Sequence, residues 1–292
     1  MGAGPVVYDP GRRPGFNTDD KPWRMWRAPH SLPRPIPQNG PMSTAFSPDA
    51  ATVALLAPTG RLRASINLGN PILAGTDPAS GRARGVSVDL AHALARRLGV
   101  PLETIEFPAA TKSVDAVTGG VADVGFFAID PLRGAEIAFT DATILIEGAY
   151  LVRADSPLQA NDEVDRTGTR VVVGKGSAYD LFLTRELKAA SFVRVPGAAE
   201  VVQVLRDAGA DVAGGIRQVL VEVAARDAAL RVLPGRFMVI RQAMGLARTR
   251  GPAAEAALRA FVEDMKASGF VAEALARHAV AGATVAPAAP SN

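Results

Sequence analysis

The stretch Phe126-Phe127-Ala128-Ile129-Asp130-Pro131-Leu132-Arg133-Gly134-Ala135-Glu136-Ile137-Ala138-Phe139, followed by Thr140 and Asp141, decides the fold. Its first part continues a run from Val121 to Ile129 that predicts a buried strand. The strand breaks at Pro131, which has no N–H to give to a sheet. Arg133 then stands just past the strand's C-terminal end. In open α/β sheets, ligands bind outside the carboxyl ends of the strands. A guanidinium there is a planar fork of donors suited to bidentate capture of a carboxylate. The alternative is a surface arginine in a turn, and the sequence on either side bears on the choice.

The segment resembles the "Thr-x-x-Arg-x-x-x-Ile-x-Phe-Ser" stretch of bacterial solute-binding proteins of the polar-amino-acid ABC-transporter type. Asp130 stands where that pattern has Thr, and Arg133, Ile137, Phe139 and Thr140 follow in register. The resemblance implies an α/β, two-lobed, periplasmic-binding-protein-like fold, with a discontinuous first lobe and two crossover hinge strands. It also implies that Arg133 binds the ligand's carboxylate.

Length and composition agree with two lobes. The chain has 292 residues, 48% apolar and 21% charged, with a net charge of +3, the profile of a soluble globular protein with a substantial core. No uncharged apolar run reaches the roughly 18 residues of a membrane span. The few aromatics are not interleaved with basic residues, so nucleic acid is not an expected partner. The absence of cysteine excludes disulfides, thiolate metal sites and cysteine nucleophiles. His30, His92 and His278 have no metal-ligand spacing, and neither a metal nor a cofactor is expected.

Residues 1–51 stand apart from the rest. The first 41 hold nine prolines and both tryptophans, Trp23 and Trp26, with no helical or strand period. They cannot bury enough apolar surface to offset their ordering entropy. They also lack the apolar core of about 7–15 residues that a secretory signal needs. They are either a disordered tail or residues ahead of a natural start at Met42.

The first lobe begins with a strand in which Leu62, Ala64 and Ile66 alternate with polar residues. Asn67-Leu68-Gly69-Asn70-Pro71 forms its turn, with Asn70 as the polar side chain placed to meet a ligand. Gly75–Arg84 reads as an exposed loop. Leu90, Leu94 and Leu98 then mark one face of a helix that stops at Gly99, and its start at Gly85-Val86-Ser87-Val88-Asp89-Leu90 resembles the family's "Gly-Phe-x-x-Asp-Leu-Ala". A second strand spans Val100–Phe107, and Thr111 is the expected cap of the next helix. Glu147–Arg153 reads as the first crossover, with Glu147 as a hinge, cleft or solvated residue where the family has Pro-Tyr-Tyr.

The second lobe opens on the strand Arg170–Val173 and the turn Gly174-Lys175-Gly176-Ser177-Ala178-Tyr179. The turn closes neither a Walker loop nor a GxGxxG motif. It predicts a helix N-terminus that presents N–H groups to an anion, similar to the family's "Gly-x-x-Gly-Thr/Ser". Ser177 lacks the setting of a catalytic nucleophile. Where the family places an ammonium-binding Asp, this chain has Ile216, with Arg217 and Gln218 beside it. Either Asp130 supplies that charge or the ligand has no ammonium, and a cleft-facing Arg217 would favour an anion. Phe237–Met244 is the return crossover, with Gln242 at the hinge or pocket. Helices over Ala253–Met265 and Phe270–His278 lead to an Ala/Pro tail.

The expected division is a tail at 1–51, a first lobe at 52–149 plus 241–282, a second lobe at 150–240, and a C-terminal tail at 283–292. The expected function is the substrate-binding component of an ABC-type importer. It captures a small carboxylate-bearing solute, an amino acid or related organic acid, by hinge closure and without catalysis. The ligand-binding residues expected are Asn70, Phe126, Ala128, Asp130, Arg133, Ser177, Ala178, Tyr179, Arg217 and Gln242. Phe126 and Ala128 replace serines common in the family and make the pocket less polar. By resemblance the protein is a periplasmic monomer that serves an inner-membrane ABC permease, although no export signal is visible and a cytoplasmic location is the alternative. The rival function is an enzyme on the same scaffold, a dehydratase of a prephenate-like carboxylate with Asp130 or Glu147 as general acid.

Overall fold

The computed structural model describes residues 46–290. The first lobe assembles from α1 (Ala50–Leu56), β1 (Leu62–Asn67), the hairpin of β2 (Gly75–Thr76) and β3 (Ala83–Arg84), α2 (Val86–Leu98), β4 (Leu102–Phe107), α3 (Ala110–Thr118) and β5 (Val124–Ala128). β6 (Ile137–Arg153) carries the chain into the second lobe. There β7 (Arg170–Gly174), α4 (Ala178–Glu186), β8 (Ser191–Val195), α5 (Ala198–Arg206), β9 (Val212–Ile216), α6 (Arg217–Arg226) and β10 (Leu230–Val232) follow. β11 (Met238–Ala247) returns, and α7 (Pro252–Ala267), α8 (Phe270–Arg277) and β12 (Thr284–Val285) complete the first lobe.

The strand order β4-β1-β5-β11-β6-β9-β7-β8 makes the crossovers explicit. β1 runs parallel to β4 and β5, and β7 runs parallel to β8 and β9. β6 and β11 run antiparallel between these two parallel sets. β6 has 17 residues, about 55 Å at strand rise, which lets one strand serve both lobes. Its segment from Ile137 to Gly148 lies along β11, and Gly148–Val152 lies along β9. The lobes are therefore joined near Glu147 and Gly148. A Cβ on Gly148 would meet Phe237 and Met238 side chains at 2.8–2.9 Å, so the junction is drawn tight around a residue with no side chain.

Alternation along β6 feeds two layers. Ala149 and Leu151 face a core with Val172, Val201 and Leu205, while Tyr150 and Val152 face one with Val171, Val173 and Leu183. This is the period-2 geometry of a strand buried on both faces. In the first lobe, Phe126 and Ala128 of β5 join the large core beneath α2, α7 and α8, and Phe127 turns to the smaller one beneath α3. The helix α2 ends on Gly99 at φ 67°, the left-handed stop expected from sequence. Its buried Asp89 accepts from Arg277 and lies 2.9 Å from His278 Nε2, which ties α2 to α8.

Several sequence expectations shift. The folded lobe begins before residue 52: Phe46 packs edge-on against Phe261, and Asp49 caps α1 by accepting the Thr52 N–H at 2.8 Å. The rest of the expected N-terminal tail, with Trp23, Trp26, His30 and Met42, lies outside the described residues. Gly75–Arg84 forms a hairpin, because Asp77 accepts the Ala79 and Ser80 N–H groups and turns the chain. Thr111 is not the cap of α3, whose N-cap is Ala109. The expected C-terminal tail contributes β12, paired with β6 at Ile144 and Leu145. Among the described residues, no helix is long and apolar enough to cross a membrane, and no cluster of His, Asp or Glu could hold a metal.

Candidate interlobe binding site

The site starts where β5 stops. Past Ala128 the Asp130 carboxylate accepts the Leu132 N–H at 2.9 Å, an Asx-type turn that directs Arg133 into a 3₁₀ turn over Arg133–Ala135. The Arg133 side chain folds back into the protein. Its Nη1 donates to the Ala128 carbonyl at 3.1 Å, and its Nη2 donates across the cleft to the Gly176 carbonyl at 2.9 Å. Burial pushes the guanidinium pKa down and nearby Asp130 pulls it back up. An arginine so placed stays cationic. Two of its five donors are thus committed to carbonyl oxygens.

The opposing surface is the turn between β7 and α4. Gly176 sits at φ +69°, and a Cβ there would fall on the Thr111 methyl group, so only glycine lets the turn lie against α3. Ser177 is the N-cap of α4, and its Oγ accepts the Asp180 N–H at 3.1 Å. The Gly176 N–H donates to Asp180 at 2.8 Å, and the Ser177 N–H donates to the Gly174 carbonyl at 3.1 Å. These groups serve the turn itself. The amides of Ala178 and Tyr179, at the first two positions of α4, precede the first intrahelical bond and face the end of the helix with its partial positive charge.

Three further contacts bring the lobes together. Asp130, 4% exposed as a side chain, pairs with Arg185 of α4 at 2.8 Å. Gln218 of α6 donates to the Gly282 carbonyl. Ala178, Tyr179 and Ile216 of the second lobe pack against the apolar core that contains Phe126 and Ala128. Between the lobes a cavity of about 30 Å³ remains, bounded by Gly69 and Pro71 on one side and by Tyr179, Val201, Ile216 and Leu220 among others on the opposite side. It has room for a water or two. No charged side chain lines it.

The structure brings most of the expected residues to this interface and leaves some to other work. Asn70 lies between Gly69 and Pro71, where its side chain accepts the Ile72 N–H at 3.3 Å. Phe126, Ala128, Ala178 and Tyr179 share one apolar cluster. Burial raises the Tyr179 phenol pKa, and a hydrogen bond with Ser177 opposes the rise. Gln242 is buried on β11 opposite Ala128, beside a break in the β6–β11 register. Arg217 directs its guanidinium to the Gly235 carbonyl and to Glu147 at 3.7 Å, and Arg236 reaches the same Glu147 at 2.6 Å. Arg185 is an interlobe contact that the sequence did not single out, and Thr111 is one that the sequence offered only as a helix cap. Each meets its partner across the cleft, so no local spacing announces it.

The model of a family described as bacterial extracellular solute-binding proteins, family 3, matches residues 73–280. Comparison with curated proteins finds no match. Among solved structures, a mutant of ArgBP from T. maritima superposes with a TM-score of 0.65 at 19% identity, covering 77% of this chain and 97% of its own. An ancestral amino acid-binding protein, a precursor of cyclohexadienyl dehydratase, gives 0.64 at 20% identity, with 77% and 98% covered. The amino acid ABC transporter substrate-binding protein AbpA from Streptococcus pneumoniae, bound to L-arginine, gives 0.64 at 17% identity, with 78% and 98% covered. At these identities the likeness is one of fold.

Proposed function

The chain belongs to the bacterial extracellular solute-binding proteins of family 3, and from that premise we propose that it captures a small carboxylate-bearing solute between its lobes and passes it to an ABC-type permease. The observation that carries this reading is the placement of Arg133. It is a buried cation at the C-terminal end of a sheet strand, and it already reaches the helix-terminal turn of the opposite lobe. A solute carboxylate would take the place of the Gly176 carbonyl on Arg133 and accept from the Ala178 and Tyr179 amides. Phe126, Ala128 and Tyr179 would wall its body, with Asn70 and Gln242 at the margins. Ser177 would act through α4, which it caps. Asp130 would act through its bond to Arg185, and Arg217 would brace the junction through Glu147.

The arrangement described is closed, with room for little more than water, so a solute enters only when the lobes part about β6 and β11. This is hinge closure around a ligand. Binding without chemistry is the reading the side chains favour, because Asp130 and Glu147 are both engaged by arginines. The family's extracellular character supports a working site outside the cytoplasmic membrane.

A thermal-shift screen of the full chain against amino acids and other small carboxylates tests the proposal. A solute at a hundred times its Kd stabilises by about 2.7 kcal/mol, a rise of roughly 5–10 °C at this size. The expected result is a shift that Arg133→Ala abolishes, with the solute recovered unchanged. Absence of a shift with every carboxylate would contradict the role of Arg133, and a consumed solute would contradict binding without chemistry.

A further inference from the structure

The cleft also carries information on what accompanies the carboxylate, an inference that rests on the carboxylate-binding reading above. We propose that the solute is a monocarboxylate with an apolar body and no ammonium group.

The buried and half-buried acids nearest Arg133 are already paired. An ammonium taken into the closed cleft needs a carboxylate to replace its water, because an unpaired buried charge is strongly disfavoured. Asp130 holds the Leu132 N–H and Arg185. Asp180 holds the Gly176 N–H and Arg194, with Thr184 on the same carboxylate. Glu147 holds Arg217 and Arg236. Asp115 and Glu200, on the flanking helices α3 and α5, are exposed to solvent. What faces a solute at this site is positive throughout: the Arg133 guanidinium and the N-terminus of α4. An α-amino acid would bring its cation to a surface with no anion to receive it.

The same pairing argues for one carboxylate. Lys175 of the facing turn and Lys112 beside Thr111 are exposed to solvent, and Arg185, Arg194, Arg217 and Arg236 each have an acidic partner, which leaves Arg133 as the buried cation bonded to carbonyls alone. The small interlobe cavity, which Arg133 does not line but which Tyr179 joins to the turn facing Arg133, supplies the rest of the argument. Pro71, Val201, Ile216, Val219 and Leu220 give apolar surface, and Tyr179 contributes the one polar side chain. Ile216 and Tyr179 also pack on the core that includes Phe126 and Ala128. Such walls suit a branched aliphatic or aromatic body.

Calorimetric titration of the full chain with matched pairs tests the inference: 4-methylpentanoate and L-leucine, hexanoate and L-norleucine, 3-phenylpropionate and L-phenylalanine. The members of each pair differ in the α-ammonium alone. We expect at least one acid to bind tenfold or more tighter than its amino-acid partner, with binding lost in Arg133→Ala. Ile216→Asp should then improve the amino acid at least tenfold relative to the acid. Aspartate is a favoured helix N-cap, and Ile216 holds that position in α6, so the substitution suits the local backbone, and a thermal melt of the variant checks that it folds. Tighter binding of the amino acid in every pair that binds would overturn this inference and leave the carboxylate reading standing. Failure of both members of every pair would overturn the inference, and the carboxylate reading with it if no other carboxylate binds.

Discussion

Gly176→Ala perturbs the interlobe contact at its closest point. The residue lies at φ +69°, where a non-glycine residue costs about 1–2 kcal/mol. Its new methyl would also fall on the Thr111 methyl across the cleft. Thr111 is exposed, and while its side chain keeps the rotamer that points the methyl at the turn, a clash of that depth drives the lobes apart there. Separation loosens two neighbouring cross-cleft bonds, Arg133 to the Gly176 carbonyl and Asp130 to Arg185. The strain alone corresponds to roughly 2–8 °C in Tm for a folded region of this size. Small-angle scattering should report a larger radius of gyration for Gly176→Ala than for the parent chain. Adding Thr111→Ala removes the clashing methyl and leaves its Cβ at 3.7 Å, an ordinary contact. The double variant should therefore regain the compact scattering while keeping the strain. An unchanged radius for the single variant, or no recovery in the double, would refute the reasoning.

Four further variants test ion pairs within and between the lobes. Arg97→Ala removes a 2.8 Å bond to the buried Asp264 and releases the Phe46 carbonyl; chemical denaturation should show a loss of about 1.5–3 kcal/mol, and no measurable loss would refute the pair's structural role. Arg185→Ala and Asp130→Asn each remove the cross-cleft ion pair, and both should populate a more open form by scattering, whereas identical curves would show that the pair does not hold the lobes. Asp211 has its pKa lowered below 3.8, first by its hydrogen bond to Arg170. The unfolded chain therefore binds the proton more readily, and the stabilisation is present above about pH 4 and lost as pH falls through the folded-state value. Asp211→Asn should be less stable than the parent at pH 7, with the gap closing towards pH 2; a gap independent of pH would contradict this.

Much of this architecture could be read from the chain, and the reasons differ by element. The β5 stretch and Arg133 were legible because a buried strand, a proline break and an arginine lie within a few residues of one another. α2 and its stop at Gly99 were legible from the spacing of Leu90, Leu94 and Leu98. The β2–β3 hairpin was not, because two-residue strands leave too short a pattern for alternation to register. The full length of β6 was divided in reading, since its two halves face different lobes and change partner at Gly148. Candidate site residues could be named on each lobe separately. Ser177 was recognised at a helix start, but that its hydroxyl and the Gly176 amide are spent within the turn follows from Asp180 one turn later. The partnership of Asp130 with Arg185 depends on how the lobes meet, which no local spacing encodes.

The central claim is that Arg133 and the first turn of α4 grip one carboxylate between the lobes. A crystal structure of the complex with the most stabilising carboxylate tests it most directly. The account predicts carboxylate oxygens within about 3 Å of the Arg133 guanidinium and of the Ala178 and Tyr179 amides. A carboxylate bound elsewhere, with Arg133 still on the Ala128 and Gly176 carbonyls, would contradict it.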